Sequence, residues 1–153
     1  MVQLDTFYPI VRDTDWLARL LPVGIRLVQL RIKDASYEVV EAEITTALRL
    51  CAKAGCQLVV NDYWSAAIDA GADFVHLGQE DLASADLTAI RRAGIKVGIS
   101  SHSDEELETA LAAAPDYVAL GPIYPTLLKK MPWAPQGLER IATWKARIAC
   151  PLV

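Results

Sequence analysis

Four glycines stand between a helix-like and a strand-like segment, and this repeated join limits the possible folds more than any other feature. Gly24, Gly55, Gly71 and Gly94 each follow residues with helical periodicity and precede a short apolar run. Helices commonly end at a residue with positive φ, a conformation that glycine adopts without steric penalty. The chain is therefore predicted to pass repeatedly from helix to strand.

Predicted helices and strands alternate along the chain. The predicted strands are Tyr8–Val11, Leu27–Ile32, Leu58–Asn61, Phe74–Leu77, Lys96–Ser100 and Tyr117–Leu120. The predicted helices are Thr14–Leu21, Tyr37–Ala54, Trp64–Ala70, Leu87–Ala93, Asp104–Ala114 and Leu138–Ile148. Asp13 is a predicted helix cap, and Ser103 with Glu106 forms a possible capping box. The alternation implies parallel strands and the α/β class, but it leaves both a barrel and an open sheet possible.

Length, charge and cysteine content exclude several classes of protein. A chain of 153 residues suits one domain, predicted to span residues 1–153. The net charge of −4 offers no basic surface for nucleic acid. Cys51, Cys56 and Cys150 form no CxxC pair, so neither a disulfide framework nor a zinc site is expected. Without a signal peptide or an apolar run of about 20 residues, the chain is expected to be cytoplasmic with no membrane partner.

One predicted strand carries a stripe of polar side chains. A period of two places Gln29, Arg31 and Lys33 on one face of the strand at residues 27–32. On a surface strand this alternation would only mean that polar residues face water. In a series of buried parallel strands, the guanidinium and ammonium groups would instead form a clamp for a pyrophosphate.

Two carboxylates follow the carboxyl ends of predicted strands. Asp62 directly follows Asn61 at the end of the third strand, and Asp81 is predicted to lie in a loop after the fourth strand. Each is a possible helix cap. Two carboxylates facing a phosphate clamp would alternatively hold Mg²⁺, which prefers carboxylate, phosphate and water oxygens.

The fifth and sixth strands also deliver polar groups at their carboxyl ends. Ser100 and His102 follow strand five, and the long Pro-rich loop at residues 121–137 contains Lys129. This layout is typical of the active-site face of a TIM barrel. His102 is expected to be the more exposed histidine and is either an acid–base group or part of a helix cap. His76 is interpreted as a core histidine.

These motifs together, in this order and at this spacing, closely resemble the thiamine-phosphate synthase family across essentially the whole chain. The matching segments are Gln29–Asp34, Asn61-Asp62, His76–Asp81, Gly98–His102, Gly121-Pro122, Pro125-Thr126 and Lys130–Gly137. The resemblance implies a TIM (β/α)8 barrel. It also implies a transferase that joins an aminopyrimidine diphosphate to a thiazole phosphate and releases pyrophosphate, with Mg²⁺ as cofactor.

The resemblance also implies roles for individual residues. No catalytic residue is expected apart from those that bind substrate. Asp62 and Asp81 would hold Mg²⁺. The substrates are small phosphorylated molecules, and the residues expected to bind them are Gln29, Arg31, Lys33, Asn61, Ser100, Thr126 and Lys129.

Two departures from the family pattern bear on activity. Leu128 replaces a hydroxyl residue that the family uses near the thiazole phosphate. Pro151–Val153 resembles the opening of strand seven, so we expect a barrel truncated after six strands, whose open edges could pair in a homo-oligomer. A thiazole tautomerase-like relative and an inactive, ligand-binding remnant are the alternative functions.

Overall fold

The structure is a computed structural model that describes residues 3–125 and 133–153. Its strands are β1 (Ile10–Val11), β2 (Leu27–Leu30), β3 (Gln57–Asn61), β4 (Phe74–Leu77), β5 (Lys96–Ser101) and β6 (Tyr117–Leu120). Its helices are α1 (Thr14–Leu20), α2 (Tyr37–Ala54), α3 (Trp64–Ala70), α4 (Gln79–Ser84), α5 (Leu87–Arg92), α6 (Asp104–Ala112) and α7 (Gly137–Lys145), with a 3₁₀ turn at Leu21–Val23.

The described residues divide into two compact units. The N-terminal unit comprises Leu4–His76 and Ala85–Lys96, and the C-terminal unit comprises Leu77–Ser84 and Val97–Val153 without residues 126–132. A single domain over residues 1–153 stays a prediction.

The sheet of the N-terminal unit is parallel, because each of β1 to β4 pairs with its sequence neighbour in that orientation. All four residues of β2 are buried. Helix α2 covers the sheet with a buried stripe of Val40, Ile44, Ala47 and Cys51, spaced as one face of a helix requires. Burial of the strands by helices confirms the predicted α/β class.

In the C-terminal unit, β5 and β6 are also parallel, with Gly98 opposite Tyr117 and Ser101 opposite Leu120. The end of the chain extends this sheet. Leu152 forms a parallel bridge with Val118, whose N–H donates to the Pro151 carbonyl at 3.1 Å. The segment predicted as the opening of strand seven therefore pairs beside β6.

Most predicted helix signals are confirmed, and one is only half right. All four joining glycines have positive φ, from 65° to 88°. Asp13 caps α1 by accepting from the Trp16 N–H at 2.9 Å. Ser103 accepts from the Glu106 N–H at 3.2 Å, but the Glu106 carboxylate accepts from the His102 N–H, so the reciprocal bond of a capping box is replaced.

Two element predictions are wrong. The segment after β4 is not a loop, because Gln79–Ser84 forms α4 and places Asp81 inside a helix. Strand β1 is only Ile10–Val11, although the Gln29 N–H still donates to the Pro9 carbonyl at 2.9 Å. Within residues 3–125 and 133–153, no helix is both long enough and apolar enough to cross a membrane.

Candidate active site

The polar stripe begins on a buried strand. The Gln29 side chain is 3% exposed, and its amide donates to the Tyr8 hydroxyl at 3.1 Å. The Arg31 N–H donates to the Val11 carbonyl at 2.8 Å, so the hydrogen-bond ladder continues past the end of β2. Arg31 is half-buried and Lys33 is exposed. The surface-strand alternative is therefore wrong, since exposure increases from Gln29 toward the carboxyl end of the strand.

Asp62 lies beside the cation at the end of this stripe. Its Oδ2 is 3.7 Å from Lys33 Nζ, and its N–H donates to the His76 carbonyl at 2.9 Å. The backbone of Asp62 is left-handed, with φ of 66°, a conformation that aspartate tolerates better than most residues. The N-cap of α3 is Tyr63, so the helix-cap alternative for Asp62 is wrong.

Asn61 presents a buried donor at the same strand end. Its side chain is 5% exposed, and its Nδ2 has no hydrogen-bond partner among the described residues. Leaving a buried donor unpaired costs about 1–3 kcal/mol, so such groups are rare in folded proteins. A bound acceptor such as a ligand oxygen would remove this cost.

The second predicted metal ligand lies in the C-terminal unit. Asp81 occupies the first turn of α4, and its Oδ2 would be 3.2 Å from a Cβ placed on Gly78. The Asp81 carboxylate thus lies close to Gly78, and a side chain at position 78 would crowd it. Because Asp81 is within the helix and not before it, the helix-cap alternative is wrong here too.

By its chemistry, each of these carboxylates is a possible ligand for Mg²⁺. Among residues 3–125 and 133–153, no group of three or more His, Cys, Asp or Glu side chains is arranged to hold a metal. Mg²⁺ needs no such cage, since one or two carboxylates with phosphate and water oxygens complete its coordination. Asp62 and Asp81 are hard oxygen ligands of this kind.

Ser100 lies at the end of β5 and is tied to α4 through its backbone. Its carbonyl accepts from Gln79 Nε2 at 2.7 Å. Gln79 Nε2 also approaches Ser101 Oγ at 3.5 Å and the Glu106 carbonyl at 3.4 Å. The amide therefore connects the first residue of α4 with the end of β5 and the first turn of α6.

His102 is the more exposed of the two histidines, as predicted, although most of its side chain is covered. Its side chain is 13% exposed, and Nδ1 lies 2.8 Å from Glu106 Oε2. Trp133 stacks on the imidazole with ring centroids 4.2 Å apart. Gln136 Nε2 donates to the His102 carbonyl at 2.7 Å. The end of the Pro-rich loop is thereby docked on the β5–α6 turn. His76 is buried, as predicted.

Three residues of interest lie outside the described residues: Thr126, Leu128 and Lys129. The stems of their loop are joined, because the Gln136 N–H donates to the Pro122 carbonyl at 2.7 Å. A cavity of about 380 Å³ beside these stems is lined by His102, Ser103, Asp104, Glu105, Trp133, Ala134, Pro135, Gln136 and Arg140.

A larger cavity of about 520 Å³ lies at the other end of the strands, near Gln57 and Asp73. It includes Cys51 and Cys56 but none of the predicted site residues. Burial, with a smaller effect from Cys56, raises the pKa of the Cys51 thiol to about 12. Burial also raises the pKa of Cys56. These thiols are poor nucleophiles and metal ligands, since both roles require the thiolate.

Sequence reasoning gave no role to the side chains that brace this region. Gln79 was noted only as part of a motif, and Glu106 only as a capping residue. Trp133, which stacks on His102, lies within the segment Lys130–Gly137 that resembles the family loop. Helical spacing does not predict the contact between His102 and Glu106, because His102 lies before Ser103, the N-cap of α6.

Comparison with known proteins gives the family. The family model described as thiamine monophosphate synthase matches residues 7–153. A thiamine-phosphate synthase of Rhizobium etli is 62% identical over 153 residues, covering 99% of this chain and 75% of that protein. A thiamine-phosphate synthase of Escherichia coli O1:K1 is 51% identical over 142 residues, covering 93% of this chain and 67% of that protein.

A solved structure shows the same fold. Thiamine phosphate pyrophosphorylase from Pyrococcus furiosus superimposes with a TM-score of 0.77 at 24% identity, over 95% of this chain and 72% of that one. The likeness at this identity concerns the fold, whereas the family rests on the sequence matches. This chain belongs to the thiamine monophosphate synthase family.

Proposed function

We propose that this chain is a thiamine-phosphate synthase, as its relatives are named, and that it joins an aminopyrimidine diphosphate to a thiazole phosphate and releases pyrophosphate. The observation that carries the proposal is the group at the carboxyl ends of β2 and β3. There Asn61 Nδ2, which has no hydrogen-bond partner among the described residues, lies one residue before Asp62, which pairs with Lys33. A phosphorylated ligand would supply acceptor oxygens for the amide and negative charge for the ammonium group.

The cationic side chains stabilise the departing pyrophosphate. Breaking the carbon–oxygen bond of the pyrimidine diphosphate leaves a pyrimidine-methyl cation and places negative charge on the leaving group. Arg31 and Lys33 supply fixed positive charge where that negative charge develops, which is the most effective kind of electrostatic catalysis. The thiazole nitrogen then forms the new carbon–nitrogen bond. No protein base is needed for this step, which agrees with a site rich in phosphate ligands.

The remaining substrate ligands have complementary tasks. Asn61 donates its unpaired N–H to a ligand oxygen, and Gln29 fixes the orientation of the pyrimidine. We assign further phosphate contacts to Ser100, near the end of β5, and to Thr126 and Lys129, which lie outside the described residues. Leu128 lacks a hydroxyl, so affinity for the thiazole phosphate is weakened by the absence of a charged hydrogen bond worth about 1.5–3 kcal/mol.

Asp62 and Asp81 are the residues that would hold Mg²⁺. When bound, this ion neutralises charge on the diphosphate and orients it for departure. We extend the proposal to the architecture, in which the parallel strands form part of a (β/α)8 barrel with its ligands at the carboxyl ends of the strands.

A synthesis assay tests the proposal. The purified chain, and a version extended to the length of its relatives, are each incubated with both substrates and Mg²⁺, and thiamine phosphate is measured. Activity in both supports the proposal for this chain. Activity in the extended version alone would restrict it to the longer form. Two folded but inactive proteins would overturn it.

Calorimetry tests the phosphate clamp separately. Arg31→Ala is expected to abolish Mg²⁺-dependent binding of the pyrimidine diphosphate, because it removes a half-buried guanidinium. Arg49→Ala is the matched control, since Arg49 is exposed on α2 and carries the same charge. Equal binding by the two variants would remove Arg31 from the clamp.

The tautomerase-like alternative rests on His102, whose imidazole stacks on Trp133 and meets Glu106 through Nδ1. The residues assigned to the pyrimidine diphosphate and Mg²⁺ favour the synthase instead, since an isomerisation of the thiazole needs no diphosphate site. Isomerisation of a thiazole substrate without any pyrimidine diphosphate would favour this alternative.

A further inference from the structure

Gln79 ties the helix that carries one predicted metal ligand to the strand end that carries one predicted substrate ligand. We propose that Gln79 is a positioning residue, which sets Asp81 relative to Ser100 by holding α4 against the end of β5. This inference rests on the proposed function, since it assigns Gln79 a role through two residues of that site. Gln79 itself touches no reacting atom.

The hydrogen bonds of Gln79 are directed across the unit and not along its own helix. The strongest is the 2.7 Å bond from Nε2 to the Ser100 carbonyl. The same nitrogen approaches Ser101 Oγ and the Glu106 carbonyl at 3.5 and 3.4 Å. Ser101 is fully buried, and the three acceptors form a partly buried recess. A side-chain amide fits this recess because it presents two N–H donors to several oxygens.

Helix α4 depends on tertiary contacts such as the Gln79 hydrogen bonds. It has only six residues, and Leu82 is its one buried residue in the described structure. A helix of this length is marginal on its own, so its position depends on tertiary contacts. Leu82 provides the apolar contact, and Gln79 provides the polar one at the opposite end of the helix.

The position of α4 decides where the Asp81 carboxylate points. Asp81 is two residues from Gln79 in the same helix, and its Oδ2 already lies close over Gly78. Rotation or fraying of the first turn would carry this carboxylate away from its present place. Loss of the Gln79 bond should therefore weaken metal binding more than it weakens folding.

Two variants and one control test this role. Gln79→Met keeps the side-chain volume but removes both donors, and Gln79→Glu keeps the shape but places a carboxylate against the Ser100 carbonyl. Gln57→Met is the matched control, because Gln57 Nε2 also donates to a backbone carbonyl, that of Leu58 at 2.9 Å. It lies at the other end of β3, away from the predicted ligands.

Calorimetry with Mn²⁺ as the metal probe and inorganic pyrophosphate as the co-ligand gives the readout, together with the melting temperature of each protein. We expect Gln79→Met to raise the Mn²⁺ dissociation constant about three- to tenfold, the equivalent of one lost hydrogen bond. Gln79→Glu should raise it further, whereas Gln57→Met should leave it unchanged.

The outcomes separate this inference from the proposed function. Unchanged Mn²⁺ affinity in both Gln79 variants, with binding by the parent chain, would overturn the positioning role alone. A fall in melting temperature matched by Gln57→Met, without a change in affinity, would show that Gln79 is merely structural. A folded parent chain that binds neither Mn²⁺ nor pyrophosphate would overturn the inference and the proposed function together.

Discussion

Replacing Gly98 with alanine should distort the centre of the C-terminal unit. Gly98 lies opposite Tyr117 in the β5–β6 register. An added Cβ would be 2.1 Å from Tyr117 Cζ and 2.2 Å from Cε1. Ordinary carbon–carbon contacts are about 3.5–4.0 Å, so the ring must move by more than an ångström. Tyr117 is fully buried, so its ring can move only by displacing its neighbours.

The expected loss in free energy of unfolding is near the upper end of the range for overpacking a core. Such substitutions typically cost about 1–3 kcal/mol, and we expect about 3 kcal/mol for Gly98→Ala. In a domain of this length, each kcal/mol lowers the melting temperature by about 2–4 °C, so a fall of about 6–12 °C is expected. Thermal unfolding followed by circular dichroism measures it.

A double-mutant cycle identifies the cause. Tyr117→Leu removes the ring atoms that meet the new Cβ, so Gly98→Ala should cost about 2 kcal/mol less in that background than in the parent. Gly121→Ala is the control, because no atom of the described residues lies within 4 Å of its added Cβ. The steric explanation would be refuted if Gly98→Ala cost the same free energy in both backgrounds. It would also be refuted if the melting temperature of Gly98→Ala lay within about 1–2 °C of the parent's.

Three further outcomes are expected. The raised pKa of Cys51, about 12, predicts slow alkylation by iodoacetamide at pH 8 until the chain is unfolded; rapid native labelling would contradict it. The Arg147 hydrogen bond, opposed in part by desolvation, lowers the pKa of Asp104. This interaction stabilises the fold above the ordinary carboxyl pKa of about 3.9 and is lost as the pH falls through the lower folded value. The melting temperature of Asp104→Asn should thus be below the parent's at pH 7 and approach it at acid pH, and a gap independent of pH would count against the ion pair. Gly78→Ala should crowd Asp81 and weaken Mn²⁺ binding in calorimetry, whereas unchanged affinity would show that the carboxylate has room to move.

The sequence predicted the elements whose signals are local. Strands β4 and β6 and helices α2 and α3 have the predicted bounds, because continuous apolar runs form the strands and glycines end both helices. Helix α4 was missed, since six residues with a single buried leucine show no helical periodicity. Its existence depends on contacts with residues distant in the sequence.

Polar residues at strand ends were predicted from the same logic, because the carboxyl ends of parallel strands all lie at one edge of their sheet. His102 is the more exposed histidine, as predicted, since His76 is buried. The stacking of Trp133 on His102 could not be predicted, because Trp133 comes from a distant part of the chain. A helix cap and a metal ligand use the same aspartates, and only the backbone around Asp62 and Asp81 excluded the cap.

The two buried amides of the N-terminal unit differ in a way that bears on function. Gln29 and Asn61 are almost equally buried, yet Gln29 donates to the Tyr8 hydroxyl, while Asn61 Nδ2 finds no acceptor in the described structure. The first amide is satisfied by the fold and is thereby held in one orientation. The second has a donor that the proposed phosphorylated ligand would engage, and leaving it unpaired costs about 1–3 kcal/mol of stability. Local rules of polar satisfaction are commonly violated at functional sites. Under the proposed function, stability and ligand binding are therefore opposed at Asn61.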